Sequence, residues 1–207
     1  MLLGFTFSLA LERFETRRGL VLEEANALSI VWLQTRLMPS PDRERMNGLL
    51  QRYVDHRLTW SEADTSAPPL VQTARMREEL WIAATAASRT REPEFLGPDL
   101  RNSLETSFNL AAARAEARTS HIPGRVISVL LVYAALSCVM LGYVLQYTGK
   151  HHRIAANMLV LLLTIALVLI LDIDRPRSGA ITISQQPLEQ LAEVMRASAP
   201  GAVQAPP

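Results

Sequence analysis

The chain has 207 residues and a formal net charge of +1, with 49% hydrophobic, 20% charged and 6% aromatic residues. So balanced a charge excludes a surface built for nucleic acid or for a strongly acidic substrate. The single cysteine, Cys138, excludes an intramolecular disulfide; set in an apolar run, it reads as a small hydrophobe rather than a reactive thiol.

The first run, MLLGFTFSLAL over residues 1–11, is about half of a membrane span. It lacks the basic start and the small-residue cleavage site of a signal peptide, and Glu12, Arg13, Arg17 and Arg18 follow it. It is expected to be the cytoplasmic end of a transmembrane helix that begins upstream of residue 1.

Residues 12–119 carry helical periodicity and little strand signal, and are expected to form cytoplasmic helices. Leu22, Ala25, Leu28, Trp32 and Leu33 predict the inward face of a helix continuing from the first run and stopping before Pro39. Ser40-Pro41-Asp42 supplies an N-cap, a proline and an acid for a second helix, whose apolar side is Met46, Leu49, Leu50, Tyr53, Val54 and Leu58. A third helix spans Leu70 to Ser88, with Met76, Leu80, Ala84 and Ala87 in register. A fourth spans Pro98 to Thr119, with Leu100, Leu104, Phe108 and Ala111 inward.

Residues 126–149 hold no charge and would make a helix of roughly 36 Å, enough for a ~30 Å hydrocarbon core. Residues 154–171 form a second uncharged run, apolar on all sides like the first. The two predict a transmembrane hairpin joined by the basic turn Lys150-His151-His152-Arg153. Arg114, Arg118 and Arg125 before it, with Arg175 and Arg177 after it, outnumber Lys150 and Arg153 in the turn. Positive residues stay inside, so the central region and the C-terminus are expected in the cytoplasm.

After the second run comes a membrane-exit turn, with Asp172, Asp174, Arg175, Pro176 and Gly179. Each acid would cost about 2.5–3.5 kcal/mol at the centre of a span, but here both stand at its end. Pro176 disfavours helix at Arg175 and Gly179 permits a reversal, so the charges are expected to pin a turn through local Asp–Arg pairing. Pro187 and Glu189 open a short last helix bearing Leu188, Leu191 and Met195, and residues 197–207 have the composition of a disordered tail.

No nucleophile–base pair or metal-ligand cluster emerges, and His151-His152 reads as a solvated turn. The chain is not expected to be an enzyme, nor to need a metal or cofactor. Glu24 with Asn26, and Asn109 with Arg114, place polar groups near apolar helix faces, where burial demands partners. They are expected to form a structural polar network between the first long helix and the last cytoplasmic one.

Read in order, LLGFTFSLALERFETRR, EEANAL, QRYVDHRL, HIP before the hairpin and DIDRPRSGAI after it resemble the bacterial bestrophin-like membrane domain family, over residues 1–191. More distantly, LLGFTFSLALERF is similar to the pore-lining helix of the bestrophin anion channels. The resemblance implies an all-α integral membrane protein of the bacterial inner membrane, a pentameric homo-oligomer passing inorganic ions, and a preceding hairpin upstream. It also implies a pore lined by Phe5, with Ser8 and Leu9 on the same helix, Phe5 standing where bestrophins narrow. Pro176 is followed by Arg177 instead of phenylalanine, and GAITISQQ lacks the acidic run of the animal calcium clasp, so calcium gating is not expected. The partners implied are the lipid bilayer, ions and further copies of the chain, with no nucleic acid. A non-conducting membrane-anchored scaffold is the alternative.

Overall fold

The structure, a computed structural model, describes residues 2–62, 70–90, 96–145, 151–174 and 181–198. Among them the regular structure is entirely helical: α1 Leu2–Thr35, α2 Asp42–Glu62, α3 Leu70–Thr90, α4 Leu96–Thr119, α5 Gly124–Leu145, α6 His151–Asp174 and α7 Gln186–Ala197. The helix expected from the first run is unbroken for 34 residues. His151, His152 and Arg153 already belong to α6, so the expected turn is shorter than its sequence suggested; residues 146–150 lie outside the described residues.

Two compact units divide the chain. One comprises Met1–Thr16 and Ser120–Ile183, the other Arg17–Thr119 and Ser184–Pro207. In the first, α5 and α6 are long and apolar enough to cross a membrane. Their buried core is small: Ala10 of α1 meets Leu130, Ile170 and Ile173, with Ile122 and the half-buried Phe14 alongside. Most apolar side chains of these helices point outward, Val129, Leu136, Val139, Leu162 and Val168 among them. Their serine and threonine hydroxyls are satisfied within their own helices, Ser128 bonding the Gly124 carbonyl, Ser137 that of Tyr133 and Thr164 that of Val160, at 2.8–2.9 Å. An unbonded hydroxyl in hydrocarbon would be costly, so this arrangement suits an apolar solvent.

In the second unit, α2 packs on α3 and on α7, and α3 on α4. Leu28, Met46, Leu50, Val54, Leu80, Leu100, Leu104 and Leu188 are fully or almost fully buried there. Tyr53 is buried edge-on to Phe108, 5.9 Å between ring centres at 67°. Burial raises the Tyr53 hydroxyl pKa, despite the opposing pull of Arg57 and Arg77, so it stays neutral. The α7 helix forms as its sequence predicts, with Pro187 in its first turn and Leu188, Leu191, Ala192 and Met195 buried. Ala197, expected to open the tail, is the last residue of this helix; residues 199–207 of the expected tail lie outside the described residues.

One expected face holds only in part, with Ala25, Leu28 and Trp32 buried. Leu22 and Leu33 are exposed, and the buried seam of this stretch runs Arg17, Val21, Glu24, Leu28, Val31, Thr35. These residues alternate in steps of four and three, the spacing of one helix face. Its polar members find partners elsewhere, Arg17 at the Ala117 carbonyl, Glu24 at Arg57 and Arg114, and Thr35 at Asn47, so hydrophobicity alone did not mark it.

The His56 imidazole lies 2.9 Å from the Thr73 hydroxyl, joining α2 to α3. Partial burial, and then the neighbouring Arg57 charge, lower its pKa. The folded protein therefore resists a proton that the unfolded chain accepts at about pH 6.5. Stability should be level above that pH and decline as pH falls through the window below it, down to the lowered folded value. His56→Gln should remove this component, as read from unfolding midpoints between pH 5 and pH 8 (a range of about three units around the free imidazole value).

Candidate pore face and buried charge network

At the start of α1, Thr6 and Ala10 are buried, whereas Phe5 is 70% exposed and Ser8 is exposed beside it. Phe5 and Ser8 are three residues apart, so they share a face. Leu9, expected to join them, is half-buried and turns toward the packed side. Two turns below Phe5 the outward face carries Glu12 and then Glu15, both exposed. Seven residues make nearly two full turns, which returns Glu12 to the side of Phe5.

The exit turn uses its acids on the backbone. Both oxygens of the buried Asp174 carboxylate accept the Ile122 N–H, at 3.0 and 3.2 Å, and Asp172 accepts the Ile181 N–H at 3.2 Å. Asp174 thereby holds the strand of chain entering α5 just before Pro123, which has no N–H of its own. The expected Asp–Arg pairing involves Arg175, with Pro176 and Gly179 next to it, and all three lie outside the described residues.

In the other unit Glu24 is fully buried and lies between two buried arginines. Arg57 donates through Nε at 2.6 Å and through Nη2 at 3.2 Å, and Arg114 donates through Nη1 at 2.6 Å. Arg57 also reaches the Ala111 carbonyl at 3.4 Å, and Arg114 bonds the Gln185 side-chain oxygen. Trp60 closes the cluster, its ring centre 4.5 Å from the Arg57 guanidinium carbon and 4.6 Å from that of Arg118. Such contacts let guanidinium groups be buried against an aromatic face.

Two further arginines complete helix ends. Arg118 donates to the Trp60 carbonyl in the last turn of α2 at 2.9 Å, and Arg17 to the Ala117 carbonyl in the last turn of α4 at 3.0 Å. A helix C-terminus leaves carbonyls without partners and carries partial negative charge, so a cation bonded there satisfies both demands.

Glu24 and Arg114 are thus brought together, but Asn26 and Asn109 are not part of the network: both are exposed. Asn26 is two positions beyond Glu24, hence about 200° around the helix. Asn109 is five positions before Arg114, about 140° away by the same rotation. Arg57, the central donor, was missed. Its signal was its spacing, four after Tyr53 and three before Trp60, inside an otherwise apolar stripe. Among the described residues no group of three metal-ligating side chains occurs.

The sequence model of the bestrophin-like domain matches residues 1–188. The chain belongs to that family. Among solved structures it is similar to crystal structures of a bacterial bestrophin homologue from Klebsiella pneumoniae. A point variant of that protein superposes with a TM-score of 0.72 at 16% identity, covering 94% of this chain and 80% of that one. A second point variant gives 0.72 at 15% identity with 94% and 81% coverage, and a third structure 0.69 at 17% with 95% and 80%. At such identities the likeness speaks for the fold. A search of curated proteins found no match. This bestrophin-like chain is therefore an all-α membrane protein, with α5 and α6 as its apolar membrane helices.

Proposed function

We propose that this bestrophin-like chain is one subunit of a homo-oligomeric ion channel, pentameric as the family resemblance implies, in the bacterial inner membrane. The start of α1 lines its pore. One observation carries this reading: the exposed face of that segment mixes Phe5 with Ser8, Glu12 and Glu15. Lipid disfavours carboxylates, so the lower part of this face requires water. Copies ringed about an axis on this side would bring their Phe5 rings into an apolar collar above a wet, acidic vestibule. Such a collar resists ions because they cannot shed water against it, and it needs no catalytic group.

The Lys and Arg balance around the hairpin favours a cytoplasmic location for Arg17–Thr119 and for the chain after α6. Calcium has no part in this reading, since residues 179–186 carry no carboxylate. The buried Glu24 network serves as internal scaffolding in the unit that contains it.

The test is electrical recording from the purified full-length protein in planar bilayers. A pore gives discrete currents at the oligomer's concentration. A non-conducting scaffold gives an intact oligomer and no current, which would overturn the proposal.

A further inference from the structure

The unit formed by Arg17–Thr119 and Ser184–Pro207 contains a cleft of about 580 Å³, between the end of α1, the start of α2 and the end of α7. This volume lies in the range of small-molecule sites. Its apolar part comes from Trp32 and Met195, both more than nine-tenths buried. Arg36 and Arg43 stand exposed at its edge.

The charges there are unbalanced. Arg36 lies over the Trp32 ring at 5.5 Å, and among the described residues neither Arg36 nor Arg43 has a carboxylate within salt-bridge distance. The one acid lining the cleft, Glu44, already accepts the Ser40 hydroxyl at 2.7 Å. The Asn47 side-chain amide lies against the Thr35 hydroxyl. The site thus offers two guanidinium groups above an indole and a thioether. Planar guanidinium groups match carboxylates, and the apolar floor suits a ring or short hydrocarbon.

We infer that this cleft binds a small organic carboxylate with an apolar body, its carboxylate held by Arg36 and Arg43 and its body resting on Trp32 and Met195. The bound acid would touch α1, α2 and the end of α7, since Trp32 and Arg36, Arg43 and Asn47, and Met195 and Ser198 all line the cleft. The inference stands apart from ion conduction, since no residue of the α1 pore face takes part.

The test uses sodium phenylacetate as probe, with benzyl alcohol as the neutral analogue and inorganic phosphate as the anion without an apolar body. Binding is read from tryptophan fluorescence and from the unfolding midpoint of the purified full-length protein. Gly48 lines the cleft, and a Cβ added there meets nothing within 4 Å, so Gly48→Leu adds bulk at the cleft with no clash at its first carbon. Phenylacetate should give a saturable response and raise the midpoint, with the two analogues at least about tenfold weaker. Arg36→Gln with Arg43→Gln should weaken phenylacetate by about tenfold or more. Gly48→Leu should abolish the response while its ligand-free midpoint is no lower than wild type. Equal binding of benzyl alcohol or of phosphate, a response unchanged in these variants, or no saturable response at all would each overturn the assignment.

Discussion

Glu24→Ala should lower the unfolding free energy of the Arg17–Thr119 unit by about 3–5 kcal/mol. The reason lies in what remains. Glu24 is the acceptor for two guanidinium groups whose side chains are 2% and 8% exposed, and its removal strands both charges away from water. A loss of that size is a large share of a typical domain's 5–15 kcal/mol. The sign reverses when all charges leave together. Glu24→Leu combined with Arg57→Met and Arg114→Leu should recover most of the loss, because an apolar replacement of a buried ionic cluster removes the desolvation penalty along with the pairing. Asn109→Leu, by contrast, should stay within about 0.5 kcal/mol, since Asn109 is exposed. Chemical unfolding in detergent reads this unit selectively: all three tryptophans of the chain, Trp32, Trp60 and Trp81, lie within it. Equal stability of Glu24→Ala and wild type would show that the two arginines find water or other acceptors, and the network would lose its structural role.

The helices were legible in the sequence wherever apolar spacing and terminal residues agreed. Leu188, Leu191 and Met195, with Pro187 and Glu189 ahead of them, announced α7, and α5 and α6 declared themselves by continuous hydrophobicity. The α1 seam was less legible because its buried positions include Arg17, Glu24 and Thr35. Ion pairing and hydrogen bonding let these polar groups occupy inward positions, and Leu22 and Leu33 took their places in a reading by hydrophobicity. The same blindness hid Arg57. The sequence predicts a local role for Asp174 in pinning the exit turn, whereas its carboxylate serves the Ile122 N–H, 52 residues away in sequence. No local pattern reports such a bond. The carboxylate cleft is equally silent in sequence, since its lining comes from α1, α2 and α7.

Phe5→Ala should raise ion conductance severalfold without loss of the oligomer. Phe5 is 70% exposed, while its neighbour Thr6, about 100° around the helix, is 1% exposed. If copies of α1 ring an axis, trimming this side chain widens and wets the collar, and the dewetting barrier falls. Leu9→Ala should act in the same direction but more weakly, because Leu9 is half-buried. A phenylalanine facing lipid would behave otherwise, since its loss could weaken membrane insertion but could not raise conductance. The most direct measurement is single-channel recording of the full-length wild-type protein and Phe5→Ala side by side, with the oligomer checked in each. The pore reading predicts larger unitary currents for Phe5→Ala. Equal currents, or silence from both while the oligomer is intact, would contradict it.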